Sequence, residues 1–108
     1  MDWKSNENKR FVEAILSLKD AEQAERFLRD LMTPGEITEF AKRLQAAEML
    51  SAKIPYSTIE RQTGFSSTTV ARVSKWLTSG TGGYKEIIAK LHHHPYSQLE
   101  KGLSLTRT

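Results

Sequence analysis

The stretch over residues 56–77, YSTIERQTGFSSTTVARVSKWL, constrains the fold of this chain more than any other. It consists of two short segments with helical spacing on either side of Gly64. A residue that ends a helix and opens a tight turn takes a positive φ, which glycine tolerates and a β-carbon resists. In the first segment Ile59 and Thr63 share one face at i, i+4. The stretch therefore predicts two helices joined by a tight turn.

The second segment carries an apolar stripe with the spacing i, i+3, i+7. The stripe consists of Val70, Val73 and Leu77. It can pack back on Phe65 and on the first segment. Ser66 and Ser67 precede the stripe, and either hydroxyl can accept from an unpaired backbone N–H at a helix start. The pattern predicts a second helix over 67–77.

The opposite face of that helix carries short hydroxyl side chains and two cations, and it carries no acid. Such a surface suits the major groove of DNA, which presents base edges between two phosphate backbones. We therefore interpret 67–77 as a recognition helix, in which Arg72 bridges guanine acceptors and Lys75 anchors on phosphate. The predicted DNA-binding residues are Ser66, Ser67, Thr68, Thr69, Arg72 and Lys75. Within this set Ser66 is expected to cap the helix.

Two amphipathic helices around a glycine also occur in helical proteins that never touch nucleic acid. A protein-protein interaction module, in which Gly64 is only a corner, is therefore the alternative. The charge distribution favours DNA: residues 1–50 carry ten acids and eight bases, whereas 51–108 carry three acids and eight bases. Phosphate contact requires a positive excess of this kind near the motif, although a solvated face would show it too.

Length and composition limit the other possibilities. A chain of 108 residues is long enough for one domain, 1–108, in which 1–8 and 95–108 are expected to be loose tails. Hydrophobic residues make up 38% of the chain, which is a low share for a compact monomer. A core shared by two subunits would compensate for this shortage of apolar residues. There is no cysteine, no apolar run near the ~20 residues of a membrane span, and no signal peptide in the polar start MDWKSNENKR. A cytoplasmic location is expected.

Four further helices are predicted from periodicity and cap signals. The first covers about 9–18, and the second starts at the capping-box pattern DAEQ. The third starts at TPGE, 33–36, where threonine caps, proline takes the first helical position and glutamate reaches back. It is expected to end near Ala52, before an Ile-Pro pair. The last covers 84–91 after a glycine-rich break, so the fold class is all-α with about six helices.

No arrangement of residues points to catalysis. His92, His93 and His94 are consecutive, so on a helix end they point in different directions and cannot close one metal site. A helix C-terminus favours positive charge, which makes capping their expected role. Because the sequence offers neither a nucleophile paired with a base nor a glycine-rich phosphate loop, we expect no enzyme activity, no cofactor and no metal. Trp3 suggests docking of the amino-terminal arm, and a partner subunit is one candidate.

Two strings in the chain resemble a known family. LMTPGEITEFAKRLQAAEML at 31–50 and STTVARVSKWL at 67–77 are similar to the Trp repressor superfamily, in particular to its Trp repressor-related branch of the YerC/YecD type. The similarity extends over 10–91. It implies an all-helical, intertwined homodimer that binds double-stranded operator DNA through paired helix-turn-helix units. The implied function is transcriptional regulation, with repression as the expected mode, although the residues alone do not distinguish it from activation.

The resemblance also implies a ligand pocket. In tryptophan-binding members, two arginines and a threonine of the partner chain hold the co-repressor, and Thr33, Arg43 and Arg72 match those positions. A glycine and a serine beside the ligand indole are replaced here by Val73 and Trp76, which would fill the volume that a ligand needs. At i+4 from Arg72, Trp76 can also meet that guanidinium. We therefore expect DNA binding without free tryptophan, the alternatives being plain core packing of Trp76 or another small ligand in a reshaped cavity.

Overall fold

A computed structural model describes residues 1–93 of the chain, and these residues form six α-helices. The helices are α1 (Asn6–Leu16), α2 (Ala21–Leu31), α3 (Pro34–Ser51), α4 (Tyr56–Thr63), α5 (Ser67–Ser79) and α6 (Gly83–His93). The predicted all-α class is confirmed, and the helix ends differ from the predicted ones by up to three residues. The tail expected over 95–108 and the last histidine of the run, His94, lie outside the described residues.

Side-chain caps set where α1 and α3 begin. The Ser5 hydroxyl accepts from the Asn8 N–H at 3.2 Å, so α1 begins at Asn6 and takes in residues that the sequence assigned to a loose arm. The Thr33 hydroxyl accepts from the Glu36 N–H at 3.1 Å. In return the Glu36 carboxylate accepts from the Thr33 N–H at 2.9 Å. This reciprocal pair confirms the capping box predicted for α3.

The chain divides into two compact units, Met1–Glu39 and Phe40–Thr108, and each is described by itself. The first unit contains α1 and α2, and neither helix has a buried residue. Its exposed large apolar side chains are Met1, Trp3, Phe11, Val12, Ile15, Leu16 and Leu31. Leu16 alone is 78% exposed. The single chain therefore leaves the apolar face of α1 and the end of α2 in contact with water.

The described part of the second unit holds the buried core. Its members are Ala46 and Ala47 of α3, Ile59 of α4, Val70, Val73 and Leu77 of α5, and Ile88 of α6. The predicted apolar stripe of α5 is thus confirmed. Thr63 is buried with them: its hydroxyl donates to the Ile59 carbonyl at 2.7 Å and accepts from the Phe65 N–H at 3.1 Å. One buried hydroxyl therefore joins the end of α4 to the turn that follows.

A left-handed turn at a lysine ends α3. Lys53 has a φ of 65°, and within 1–93 it is the one non-glycine residue with a positive φ. The Ile54 N–H donates to the Met49 carbonyl and the Lys53 N–H donates to the Leu50 carbonyl, both at 3.0 Å. These two bonds form a Schellman motif, whose left-handed position usually holds glycine. The predicted end of α3 is confirmed to within one residue, and the turn that makes it forms at an unusual residue type.

Candidate nucleic-acid interface

A glycine turn connects α4 to α5. Gly64 has φ 77° and ψ 4°, and its N–H donates to the Glu60 carbonyl at 2.8 Å. A Cβ at this position would meet no atom within 4 Å. Glycine is therefore favoured here by the left-handed backbone conformation and not by a lack of space for a side chain. The predicted role of Gly64 is confirmed. The helix-turn-helix forms as expected over 56–77, and α5 continues to Ser79.

At the start of α5 one hydroxyl caps the helix and two others are exposed to solvent. Ser66 is the N-cap: its hydroxyl accepts from the Thr69 N–H at 3.2 Å, which confirms the capping role assigned to it. The Ser66 hydroxyl also donates to the Thr69 hydroxyl at 3.1 Å, so the two side chains are engaged with each other. Ser67 and Thr68 are exposed, whereas Thr69 is half-buried. Within this run, the hydroxyls of Ser67 and Thr68 are therefore the accessible ones.

The outer face of α5 forms a shallow surface depression, which we call the α5 outer face. It is lined by Thr68, Ala71, Arg72, Lys75, Trp76 and Ser79. Ala71 and Ser79 are the members that the sequence analysis missed. For Ala71 the available signal was its position three residues after Thr68 and four before Lys75, because that spacing places all three on one side of a helix. The structure thus brings together three of the predicted DNA-binding residues with a methyl group between them.

The electrostatics of this face are uniformly positive. Arg72 and Lys75 are exposed, and neither makes an ion pair with any residue of 1–93. No acidic residue occurs anywhere in α5. A guanidinium and an ammonium group without an acidic partner attract anions such as phosphate.

A second cluster surrounds the ring of Trp76. The guanidinium carbon of Arg43 lies 5.2 Å from the centroid of the Phe40 ring and 5.5 Å from that of Trp76. The contact that spacing alone allowed, Arg72 over Trp76, does not form: Arg72 is exposed, and α3 supplies the half-buried Arg43 instead. Burial raises the pKa of the nearby Tyr84 hydroxyl above its ordinary value of 10.0, and the charge of Arg43 opposes part of that rise.

The residues predicted for a ligand pocket are described one by one. Val73 is completely buried in the core of the second unit, so its methyl groups occupy space there permanently. Trp76 is 39% exposed and lines a cavity of about 360 Å³ together with Arg43 and Tyr84. Thr33 belongs to the first unit, where its hydroxyl is used as the cap of α3. The described chain therefore joins Arg43 to Trp76, and leaves Arg72 on the α5 outer face.

Two other features singled out in the sequence do not line the α5 outer face. His92 is exposed near the end of α6. Trp3 is exposed, and it lies beside Lys9, Val12 and Glu13 of α1. Over 1–93 the structure contains no group of three or more histidine, cysteine or carboxylate side chains placed to hold a metal ion. In the same range no helix combines the length and the apolar character needed to cross a membrane.

A short helix, a glycine turn and a capped helix with an acid-free outer face define the chain as an all-α helix-turn-helix protein. Residues 6–92 match the family described as Trp repressor protein, and the chain belongs to that family. The resemblance found in the sequence is thereby confirmed. The match covers all six helices except the last residue of α6.

Known relatives agree with this assignment. The chain is 44% identical over 72 residues to "Uncharacterized protein YerC" of Bacillus subtilis (strain 168), an alignment that covers 67% of this chain and 69% of that protein. Its fold is similar to a TrpR like protein from Eubacterium eligens ATCC 27750, with a TM-score of 0.80, 34% identity, and coverage of 83% of this chain and 93% of the other. It is also similar to a candidate Trp repressor from Staphylococcus aureus, with a TM-score of 0.79, 32% identity, and coverage of 85% and 95%. The chain is of the YerC type.

Proposed function

We propose that this protein is a sequence-specific DNA-binding regulator of transcription that acts as a homodimer and represses through its helix-turn-helix. The observation that carries the proposal is the α5 outer face, because it is exposed, free of acids and positively charged. Membership of the Trp repressor family supports it. In this proposal α5 enters the major groove, and the turn at Gly64 sets its angle to α4.

Residues of the α5 outer face are each proposed to contact a different part of the DNA. Arg72 is proposed to bridge two acceptors of a guanine, since its planar guanidinium matches the spacing of O6 and N7. Thr68 lies one turn nearer the start of α5, where its hydroxyl can bond a base edge, and Ala71 directly precedes Arg72, where its methyl can contact the methyl of thymine. Lys75 is proposed to hold a phosphate. The accessible hydroxyl of Ser67 and the exposed N–H groups at the helix start would hold another.

The dimer is proposed from the uncovered face of the first unit. Apolar side chains on α1 and α2 stay in water in the single chain, and removing them from water is the main driving force for association. A second copy related by a twofold axis would cover this face and present two recognition helices. The operator is then a near-palindrome with half-sites one helical turn apart, roughly 34 Å. Intertwining of the two chains is part of the proposal.

Independence from free tryptophan is proposed from the contact between Arg43 and Trp76. The guanidinium that matches a co-repressor-binding arginine already lies over an indole of the protein itself, at 5.5 Å. Val73, which replaces one of the small residues beside the ligand indole of tryptophan-binding members, is completely buried in the core. Titration of the protein with L-tryptophan in a calorimeter is expected to give no saturable heat. A saturable heat in the micromolar range would refute this part of the proposal.

Selection of bound fragments from a random pool of duplex DNA tests the main proposal. The wild type should enrich near-palindromic sites, and Arg72→Ala should lose preference at one position of each half-site. Arg26→Ala is the matched control, because Arg26 is an exposed arginine on α2 outside the helix-turn-helix. If no sequence is enriched, and affinity for duplex DNA does not depend on salt, the protein is a helical interaction module and the proposal is wrong.

A further inference from the structure

A cavity of about 750 Å³ lies in the second unit beside α5, and we call it the basic cavity. From α5 it is lined by Ser74, Leu77 and Thr78, none of which belongs to the α5 outer face. Its other walls come from α6, from the end of α3, and from Lys53, Ile54 and Tyr56, which follow α3. Its volume lies within the range of about 300–1,000 Å³ that is usual for small-molecule sites.

The lining of the basic cavity combines an apolar wall with positive charge. Leu77 and Ile88 belong to the buried core and present apolar surface. Lys53, Lys85 and His92 supply the basic groups, and no acidic residue is among the residues that line it. Neither lysine makes an ion pair with another residue of the described range. An apolar wall beside two uncompensated ammonium groups fits a molecule with an apolar body and an anionic head.

The backbone at Lys53 supplies an independent observation. Its φ of 65° is strained for a residue with a Cβ, and glycine would relieve that strain at the same Schellman turn. Residues held in such conformations concentrate at functional sites, where the surrounding structure maintains them. The side chain retained at this cost lines the cavity. The left-handed backbone at Lys53 thus coincides with a basic group of the cavity.

We propose that the basic cavity binds a small monocarboxylate with an apolar body. Its carboxylate meets Lys53 and Lys85, while the body packs on Leu77 and Ile88. Because α5 contributes to the cavity and to the DNA-binding face, an occupied cavity is expected to change DNA affinity. That consequence rests on the proposed function, whereas binding of the carboxylate does not.

Calorimetric titration of the full chain with octanoate tests the proposal. Octanoate should give a saturable heat, and 1-octanol, which has the same chain without the charge, should bind roughly tenfold or more weakly. Lys85→Met should weaken octanoate binding by a similar factor. Lys90→Met is the matched control, since Lys90 is an exposed lysine of the same helix that does not line the cavity, and it should bind as the wild type does. Lys53→Gly should weaken binding while the helical circular dichroism is unchanged.

Four results would overturn the proposal. They are the absence of a saturable heat with octanoate, equal affinities for octanoate and octanol, equal affinities of the Lys85 and Lys90 variants, and a smaller sedimenting species for Lys85→Met. The last result would make the cavity a contact between two copies. Octanoate binding by a protein that does not bind DNA would refute the proposed function and leave this inference standing.

Discussion

The buried hydroxyl of Thr63 offers a sharp test of how the turn between α4 and α5 is held. It accepts from the Phe65 N–H at 3.1 Å, in the turn itself, and donates to the Ile59 carbonyl at 2.7 Å. Thr63→Val keeps the shape of the side chain and removes both bonds. The Ile59 carbonyl lies within α4 and remains part of the helical backbone. The main loss is therefore the hydrogen-bond partner of the partly buried Phe65 N–H.

The size of the effect follows from two opposed terms. An unsatisfied buried N–H costs about 1–3 kcal/mol, and a buried methyl in place of the hydroxyl returns about 0.8 kcal/mol. Thr63→Val is therefore expected to lower the free energy of unfolding by about 1 kcal/mol and the Tm by roughly 4–8 °C. Thermal unfolding followed by far-UV circular dichroism at one fixed protein concentration measures it, since the Tm of a dimer depends on concentration.

Thr58→Val is the matched control for this prediction. Thr58 lies in the same helix, and its hydroxyl makes no side-chain hydrogen bond within residues 1–93. Its substitution should change stability by less than about 0.5 kcal/mol. If Thr63→Val were as stable as Thr58→Val, the hydroxyl would not hold the turn, and the packing of Ile59 alone would have to explain its geometry.

Three further substitutions have expected outcomes that follow from the structure. Gly64→Ala should cost about 1–2 kcal/mol in thermal unfolding, because the added methyl meets no atom and only the left-handed backbone is penalised. Lys53→Gly should raise the Tm by about 2–4 °C. Relief of about 1–2 kcal/mol of backbone strain exceeds the cost of about 0.5–1 kcal/mol from the greater entropy of glycine in the unfolded chain. Lys53→Ala keeps the strain and should give no gain in Tm. Lys75→Ala should weaken binding to all duplex sequences alike and reduce the slope of log affinity against log salt by about 1. An unchanged slope would remove Lys75 from the phosphate contact.

Local signals explain why so much of the fold could be predicted from the sequence. The turn at Gly64, the cap at Ser66 and the stripe that includes Val70 each depend on residues within one or two helical turns. The same holds for the capping box at Thr33. Backbone conformation and helix periodicity act over these short distances, so the residue types are sufficient to indicate the structure.

Features that depend on distant residues could not be predicted in this way. The sequence offered Arg72 as the neighbour of Trp76, because only residues of one helix can be compared by spacing. The observed neighbour, Arg43, comes from α3. Lys53 carries no signal for a left-handed turn, since lysine is rare there and the proline two residues later gave a sufficient reason for the helix to end. The basic cavity was missed because its walls come from three separate stretches of chain, 50–56, 74–78 and 85–92.

Trp76 lies where its fluorescence can report on events at the α5 outer face. The indole is 39% exposed, lies against a guanidinium on one side and lines the α5 outer face on the other. The chain contains one other tryptophan, Trp3, far from that face in sequence and exposed. A Trp3→Phe variant would therefore emit from a single indole, and its fluorescence could follow the proposed binding of operator DNA in real time without any attached dye.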